Sequence, residues 1–231
     1  MTLAANGKNA DVSVHPELGR IVIPPDVPQD LTLFYTTIDF DGRLDDRIRR
    51  VIHPATLATC HQVHGLAIRR APTADREPEC DAIWSDQKNI ALGIKVADCL
   101  PVSIIDRKNS IIANIHSGWR GAVQGIIAAT LDAAPLDPSE SFAFLGPSIR
   151  VCCFEVGEEV AAQFDAHFID RTRGPKPHVD VIAVTVAILR QRGFAEERII
   201  DPGLCTRCVG SIFHSYRRDK RSGRNLAIVA Q

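Results

Sequence analysis

Apolar residues along the chain repeat with two different periods, which predicts a mixture of strands and helices. Alternation with a period of two marks LTLFYTTIDF and NIALGIKVAD, and in the second segment Ile90, Leu92, Ile94 and Val96 would share one buried strand face. The β-branched runs PVSIID and SIIANIH are separated by RKN, which predicts an antiparallel hairpin. Further strands are predicted at SFAFLGPSI, RIIDPG and NLAIVA.

Helical spacing is found between these strands. Helices are predicted at DDRIRRVI, at GAVQGIIAATLDAA as one element, and at EEVAAQFDAHF. A further helix is predicted at DVIAVTVAILRQRG, with Asp180 as its N-cap and Gly193 as its C-terminal stop. Because strands occur both as hairpins and between helices, we expect a single α+β domain with mixed sheets. Residues 1–30, rich in proline and polar residues, are predicted to be an irregular N-terminal arm ahead of a domain over residues 31–231.

Composition and charge narrow the class of protein. The 231 residues are 45% hydrophobic and 24% charged, and the net charge of −1 gives no basic field for nucleic acid or an anionic membrane. No run of about eighteen apolar residues predicts a membrane span, and the N-terminus lacks the pattern of a secretory signal. Seven cysteines, an odd number, are poor material for a disulfide framework. A cytoplasmic protein with neither nucleic acid nor membrane as partner is therefore predicted.

Three residues are candidates for a metal site: His64, Cys99 and His116, each predicted where an apolar strand gives way to a turn. One thiolate and two imidazoles suit zinc, and three protein ligands leave a fourth position for water, as in catalytic sites. Zinc would lower the pKa of that water, and Asp98 would orient the water or carry its proton. Two alternatives stay open: ordinary packing, or Cys99 as a metal-free nucleophile with a histidine as its base.

Basic residues suggest where an anion would bind. A helix beginning near Arg120 would present its N–H groups to the same rim, and with the arginine side chain would bind an anion such as phosphate. The alternative is that Arg120 pairs with a surface carboxylate. The segment SYRRDKRSGR is either a solvated loop or a lid that places Arg217, Arg218 and Arg224 over an anionic substrate.

The remaining cysteines give weaker signals. Cys205 and Cys208 form a CxxC pair, but a structural zinc site needs two further ligands, and a thioredoxin-like redox pair is the alternative. The adjacent residues Cys152 and Cys153 are predicted to be packing residues.

Six motifs occur in a recognisable order: QVHG, ADCLPV, HSGWRG, GPSIRVCCFEVGEEV, CT and SYRRDKRSGR. Between Leu31 and Val229 the chain thereby resembles the laccase-domain family, also called polyphenol-oxidase-like or peptidoglycan editing factor, of the purine nucleoside phosphorylase type. The resemblance implies a laccase-like metal-binding domain over residues 31–231. Its fold would be a sandwich of mixed β-sheets flanked by helices, similar to cysteine-hydrolase-like toxin domains. It also implies that His64, Cys99 and His116 bind the metal, which is usually zinc, with copper as the alternative.

The activity that the resemblance implies is purine nucleoside chemistry. This comprises phosphorolysis of adenosine, inosine, guanosine or methylthioadenosine, and deamination of adenosine, with the nucleoside and phosphate as partners. The residues predicted to be catalytic are Asp98, Cys99 and Arg120. The residues predicted to bind substrate are Gln62, Arg120, Arg217 and Arg224.

The chain departs from the family pattern at three places. His61 precedes QVHG, where a non-ligand residue is usual, and Ser117 stands where alanine is more common. The segment before Gln62 is shorter than usual and has no LNLG-like element, although this region shapes the family pocket.

Three other functions compete with nucleoside chemistry. They are an amidase that edits peptidoglycan precursors, a copper polyphenol oxidase, and a zinc-stabilised binding protein whose metal site is closed by His61. Eight histidines without a single His-x-His pair argue against a multicopper oxidase. We therefore rank purine nucleoside chemistry first, amide hydrolysis second and the binding protein third.

Overall fold

A computed structural model describes residues 2–5, 8–42, 46–72 and 76–231. The strands of all sheets are numbered β1 to β16 along the chain. The largest sheet contains eight of them, in the spatial order β1-β2-β3-β4-β16-β9-β5-β7. In that order the strands are Thr2–Ala5, Lys8–His15, Gly19–Ile23, Thr32–Thr36, Asn225–Ala230, Ile90–Val96, Thr56–Cys60 and Arg76–Glu77. Neighbouring strands are antiparallel except for β5, which runs parallel to both β9 and β7.

A second sheet has six strands in the order β15-β12-β10-β11-β8-β6. In that order they are Ile199–Ile200, Ser141–Leu145, Leu100–Asp106, Ile111–Ser117, Ala82–Ser85 and Ile68–Arg70. The predicted hairpin is confirmed as β10 and β11, whose register runs from Leu100 opposite Ser117 to Asp106 opposite Ile111. A short antiparallel pair completes the strands, with β13 at Ile169–Asp170 and β14 at His178–Val179.

The helices are short and lie outside the two sheets. They are α1 (Asp46–Ile52), α2 (Trp119–Gln124), α3 (Ile126–Ala133), α4 (Glu158–Ala161) and α5 (Val181–Gln191), with 3-10 turns at Ala166–Phe168 and Glu196–Arg198. The predicted ends of α5 are confirmed: the Asp180 side chain accepts a hydrogen bond from the Ala183 amide, and Gly193 has a φ of 96°. None of the helices in the described ranges is long and apolar enough to cross a membrane.

The core has three layers. Leu92 and Ile94 of the eight-stranded sheet pack against Ile105 and Ile112 of the six-stranded sheet, which seals the sandwich. On the outer face of the six-stranded sheet, residues of β10 and β11 pack against α3 and α5. On the outer face of the other sheet, residues of β4, β5 and β16 pack against α1. The predicted α+β sandwich of mixed sheets flanked by helices is confirmed.

Two local predictions differ from the structure. The predicted single helix after His116 is divided into α2 and α3 at Gly125, whose φ of 87° lies in the left-handed region that glycine adopts without strain. The helix predicted at EEVAAQFDAHF is limited to the four residues of α4 followed by a 3-10 turn.

The described residues among the first thirty also differ from the expected irregular arm. They form β1, β2 and β3, and β3 pairs with β4 through Ile21 opposite Thr36 and Val22 opposite Tyr35. Ala10 and Val22 are fully buried against Tyr35. Backbone pairing with an existing sheet explains the order of this segment despite its prolines, which lie between strands rather than within them.

Candidate metal centre

Sheet topology brings two loops and the end of a strand together at one end of the sandwich. Because β5 and β9 are parallel, the loops that follow them, which carry His64 and Cys99, leave the same edge of the eight-stranded sheet. Cys99 directly precedes β10, and His116 lies near the end of β11, opposite Pro101 at the start of β10. The three predicted ligands therefore meet, although His64 and His116 are 52 positions apart in the sequence.

The three side chains form a compact cluster. The ligand atoms of His64, Cys99 and His116 all lie within 4.8 Å of one another. Cys99 Sγ is 4.0 Å from His64 Nε2, and the two imidazole rings meet edge to face with their centroids 4.7 Å apart. His116 is buried, Cys99 is half-buried and His64 is exposed, so the cluster opens to solvent on the His64 side.

A buried carboxylate that sequence analysis did not single out, Asp81, holds two members of this cluster. Its Oδ1 accepts hydrogen bonds from the His116 ring at Nδ1 (2.7 Å) and from the His64 amide (2.9 Å). Its Oδ2 accepts from the amides of Val63 (3.2 Å) and Gly65 (2.7 Å). With Nδ1 engaged, His116 presents Nε2 to the cluster, which is how a carboxylate orients a metal-binding histidine.

The charges of the cluster favour a thiolate. Burial, which raises the pKa of Cys99, is outweighed by hydrogen bonds with His116 and His64, and the pKa falls to about 6. Burial by itself would lower the pKa of His116, because it disfavours the charged ring. Hydrogen bonds with Asp81 and Cys99 outweigh burial and raise this pKa to about 9. A cation bound at this place would take over the role of the imidazole proton, because a metal requires the thiolate and the neutral ring.

The backbone around the ligands is strained. His64 has a φ of 61° and Asp98 a φ of 90°, both in the left-handed region that non-glycine residues rarely adopt. Such conformations persist only where surrounding bonds hold them, and they are concentrated at functional sites. Asp81 holds the first of these turns, and the Asp98 side chain holds the second: its Oδ1 accepts from the Thr206 hydroxyl (2.6 Å) and its Oδ2 from the Arg217 amide (2.6 Å).

A close approach at Gly118 completes the packing of the ligands. A Cβ atom at this position would lie 3.1 Å from Cys99 Sγ and 3.2 Å from His64 Cδ2. Close contact with both predicted ligands therefore disfavours a side chain at Gly118, whereas its backbone angle does not, since its φ is −72°.

The donor set fits a metal ion with an open position. Within the ranges that the structure describes, no other histidine, cysteine or acidic side chain joins the three ligand atoms. His61, the fourth ligand in the binding-protein hypothesis, is exposed and does not belong to the group. Three mixed nitrogen and sulfur donors with one open position are typical of catalytic rather than structural zinc.

The cluster forms one wall of a cavity of about 520 Å³. Its lining comprises Cys60, Gln62, His64, Arg76, Lys95, Val96, Ala97, Cys99, His116, Tyr216 and Arg224. Arg76, Lys95 and Arg224 make the cavity cationic, and among the described residues no acidic side chain belongs to its lining. The pKa of Lys95 is lowered, chiefly by desolvation and to a smaller extent by the charges of Arg76 and Arg224.

The other predicted site residues differ in their surroundings. Gln62 lines the cavity, but its side-chain amide pairs with the backbone of Lys95, donating to the carbonyl at 2.7 Å and accepting from the amide at 2.9 Å. Arg224 lines the cavity, whereas Arg217 lies beside it, donating to the Glu155 carbonyl with its guanidinium 5.5 Å from the Phe154 ring.

Arg120 is not brought into the cavity. It is exposed on α2, a helix of six residues, and its guanidinium lies 5.3 Å from the ring centre of Trp119. The position of Arg120 therefore does not support the prediction that it binds phosphate next to the metal ligands. Sequence analysis missed Arg76 and Lys95 because each lies in a separate strand without a motif.

Comparison with known proteins identifies the family. The sequence profile of the family described as "Multi-copper polyphenol oxidoreductase laccase" matches residues 43–231. The purine nucleoside phosphorylase YfiH of Escherichia coli is 32% identical over 222 residues, which cover 92% of this chain and 90% of that protein. Adenosine deaminase RL5, from an unknown prokaryotic organism, is 35% identical over 150 residues, which cover 60% of this chain and 56% of that protein.

A solved structure supports the fold. The hypothetical protein YfiH of Bacillus licheniformis superposes with a TM-score of 0.83 at 20% identity, covering 95% of this chain and 98% of that one. The match confirms the single-domain sandwich, while the comparison with cysteine-hydrolase-like toxin domains stays a prediction. On the profile match and the identity with YfiH, the chain belongs to the laccase-domain family described as multi-copper polyphenol oxidoreductases.

Proposed function

We propose that this protein is a zinc-dependent purine nucleoside enzyme that cleaves nucleosides with phosphate and also deaminates adenosine. The observation that carries the proposal is the cavity in which the His64, Cys99 and His116 cluster faces the cationic residues Arg76, Lys95 and Arg224. Relatives named purine nucleoside phosphorylase and adenosine deaminase support the same chemistry. A volume of about 520 Å³ lies in the range of small-molecule sites.

His64, Cys99 and His116 would hold the ion, and Asp81 would fix the orientation of His116. When bound, zinc supplies Lewis-acid polarisation and acidifies a coordinated water. Thiolate and imidazole donors suit zinc, and copper is the alternative. The protein's own contribution is an oriented set of donors at the wall of a solvent-accessible cavity.

Arg76, Lys95 and Arg224 would bind phosphate. In phosphorolysis, a phosphate oxygen forms a bond to C1′ of the ribose while the bond from C1′ to the base nitrogen breaks, and the base leaves with the electron pair and gains a proton. Three cations in one cavity hold the phosphate dianion and offset its charge during this displacement. In this proposal they take the role that sequence analysis gave to Arg120.

Tyr216 would contact the purine. Its side chain is 48% exposed and lines the cavity, so its ring presents an apolar face to a planar ligand. Asp98 would act as a positioning residue, because both carboxylate oxygens accept hydrogen bonds from Thr206 and Arg217. Its proposed effect is on the conformation of the Cys99 loop and not on proton transfer.

The ligand sets do not support a multicopper oxidase. All eight histidines lie in the described ranges, and there only His64 and His116 belong to a group of three or more ligands. A trinuclear copper cluster with a separate blue-copper site requires many more imidazoles than these two.

The test is product analysis of adenosine incubated with the purified protein, with and without inorganic phosphate. Adenine formed only with phosphate indicates phosphorolysis, and inosine formed without it indicates deamination. We expect Cys99→Ala and chelator-treated protein to lose both products. Zinc-loaded protein that forms neither product overturns the proposal.

A matched lysine pair tests the phosphate site. Lys95→Met should raise the KM for phosphate more than tenfold, because a cation that faces the anion is removed. Lys88→Met, on the exposed turn before β9, should leave it unchanged. Equal behaviour of the two variants contradicts the role of Lys95.

A further inference from the structure

A second group of metal-type ligands lies outside the candidate centre. The sulfur atoms of Cys152, Cys153, Cys205 and Cys208 all lie within 4.8 Å of one another. Cys208 Sγ is 3.6 Å from Cys152 Sγ and 3.4 Å from Cys153 Sγ. Four sulfurs bound to one zinc ion at about 2.3 Å would be separated by about 3.8 Å in a regular tetrahedron. We propose that these four cysteines form a closed structural zinc site.

The polypeptide brings the two cysteine pairs together without help from the metal. The loop after β12 and the loop after β15 form a short parallel bridge between Ser148 and Cys205. The Ser148 amide donates to the Leu204 carbonyl at 3.2 Å, and the Ser148 carbonyl accepts from the Thr206 amide at 3.0 Å. The Arg150 guanidinium binds both oxygens of Asp201 at 2.8 Å and 2.6 Å. The cysteines therefore meet at a junction that backbone and ion-pair contacts already fix.

The surroundings of Cys205 suit a metal-bound thiolate. Backbone N–H groups of Arg150, Cys208 and Arg207 form hydrogen bonds with its sulfur. Several thiolates at this spacing repel one another, and a divalent cation among them removes that cost.

The ligand set has the composition of a structural site. Four cysteine ligands fill the tetrahedron and leave no position for water or substrate, unlike the three ligands of the candidate centre. Cys153 and Cys205 are buried, and Cys152 and Cys208 are exposed, so the ion would lie at the surface with one side in the protein. The CxxC pair, too little for a zinc site by itself, gains its two missing ligands from Cys152 and Cys153.

This site would stabilise the loop that supports the candidate centre. Thr206, between the two cysteines of the CxxC pair, donates its hydroxyl hydrogen to Asp98 at 2.6 Å. The Ile149 amide, at the start of the loop that carries Cys152 and Cys153, donates to the Asp98 carbonyl at 2.8 Å. Both loops thus contact the residue before Cys99, and a zinc ion that joins them would fix both contacts.

The test is the zinc content of protein purified under reducing conditions, together with two single variants. We expect about two zinc ions per chain in the wild type, and about one in both Cys208→Ser and Cys99→Ser. Cobalt exchanged into Cys99→Ser should give the intense charge-transfer absorption of a tetrathiolate site. A wild type with about one zinc ion, lost in Cys99→Ser and retained in Cys208→Ser, overturns the proposal.

Alkylation of the wild type keeps the test valid if a variant does not fold. Iodoacetamide should leave Cys152 and Cys208 unmodified in native protein, although both are exposed, and should modify them once a chelator has removed zinc. Rapid modification before chelation contradicts the site. The site is also contradicted if the protein holds no second zinc ion and its intact mass is about 2 Da below that of the reduced chain, because this mass identifies a disulfide. None of these readouts depends on nucleoside turnover.

Discussion

Asp81 is the residue on which the geometry of the candidate centre depends most. It is fully buried, and its two oxygens accept four hydrogen bonds, from the backbone of residues 63–65 and from the ring of His116. One carboxylate thereby fixes the turn that carries His64 and the orientation of His116. Desolvation, which raises the pKa of Asp81, is outweighed by His116 and these amides, so the pKa lies below its ordinary value.

We predict that Asp81→Asn weakens zinc binding by about 10- to 100-fold, the usual cost of losing a carboxylate behind a metal-binding histidine. The asparagine side chain has nearly the same shape but carries no charge. Its NH2 group cannot accept a hydrogen bond, yet it would face N–H donors. Competition with a chromophoric chelator measures the affinity directly.

The matched control is Asp86→Asn, which removes an exposed carboxylate paired with Arg70. Its zinc affinity should equal that of the wild type. An Asp81→Asn protein that folds and binds zinc with undiminished affinity would show that Asp81 serves only the fold.

Sequence patterns predict some of these residues and not others. His64, Cys99 and His116 are conspicuous because each is a ligand-type residue near the end of an apolar strand. Asp81 begins the buried strand segment DAIWS and is conspicuous only as an acid in apolar surroundings, a signal that does not identify its partner. The partners follow from β8 pairing with β11, which is a long-range contact.

At the scale of the elements, the loop that carries His64 is attached to the sheet by a side chain. Gln62 forms two hydrogen bonds with the backbone of Lys95, in β9, and so acts as a substitute strand partner after β5 has ended. The substrate contact predicted for Gln62 competes with this arrangement, because its amide oxygen and nitrogen are both engaged.

We predict that Gln62→Ala lowers the free energy of unfolding by about 1–3 kcal/mol, since the Lys95 N–H and C=O groups lose their partners. Urea denaturation measures this change. The exposed residue Gln87 provides the control, and Gln87→Ala should leave the unfolding midpoint unchanged. Unaltered stability of Gln62→Ala with a raised KM for adenosine would instead support a direct substrate contact.

Strand periodicity predicted its elements better than helical periodicity did. Ile90, Leu92, Ile94 and Val96 share one face in the central core, as their spacing requires. The helix after His116 has continuous apolar spacing, but Gly125 adopts a left-handed conformation that ends α2. Spacing alone does not reveal this break, because glycine is compatible with both conformations.

In the whole molecule, the N-terminal strands β1, β2 and β3 are part of the large sheet. Strand β2 pairs with β3 and β3 pairs with β4, and Val22 packs in a cluster with Tyr35, Phe213 and Ala227. The irregular composition of this segment concealed its strands, because pairing with β4 is decided by long-range contacts and not by local propensity.

We predict that a chain beginning at residue 24 is less stable and prone to aggregate. Removal of β1 to β3 leaves β4 as an unpaired edge and exposes apolar side chains of its cluster. Thermal unfolding and light scattering of the truncated and full chains measure both effects. Equal melting temperature and solubility would restore the interpretation of these residues as a dispensable arm.

Zinc dependence is tested most directly by the rate of adenosine phosphorolysis as zinc is returned to metal-stripped protein. We predict negligible turnover without metal, a rise to a plateau as zinc is added, and no recovery at any zinc concentration in Cys99→Ala. Full turnover by metal-free protein, or recovery in Cys99→Ala equal to that of the wild type, would contradict a zinc-dependent reaction at His64, Cys99 and His116.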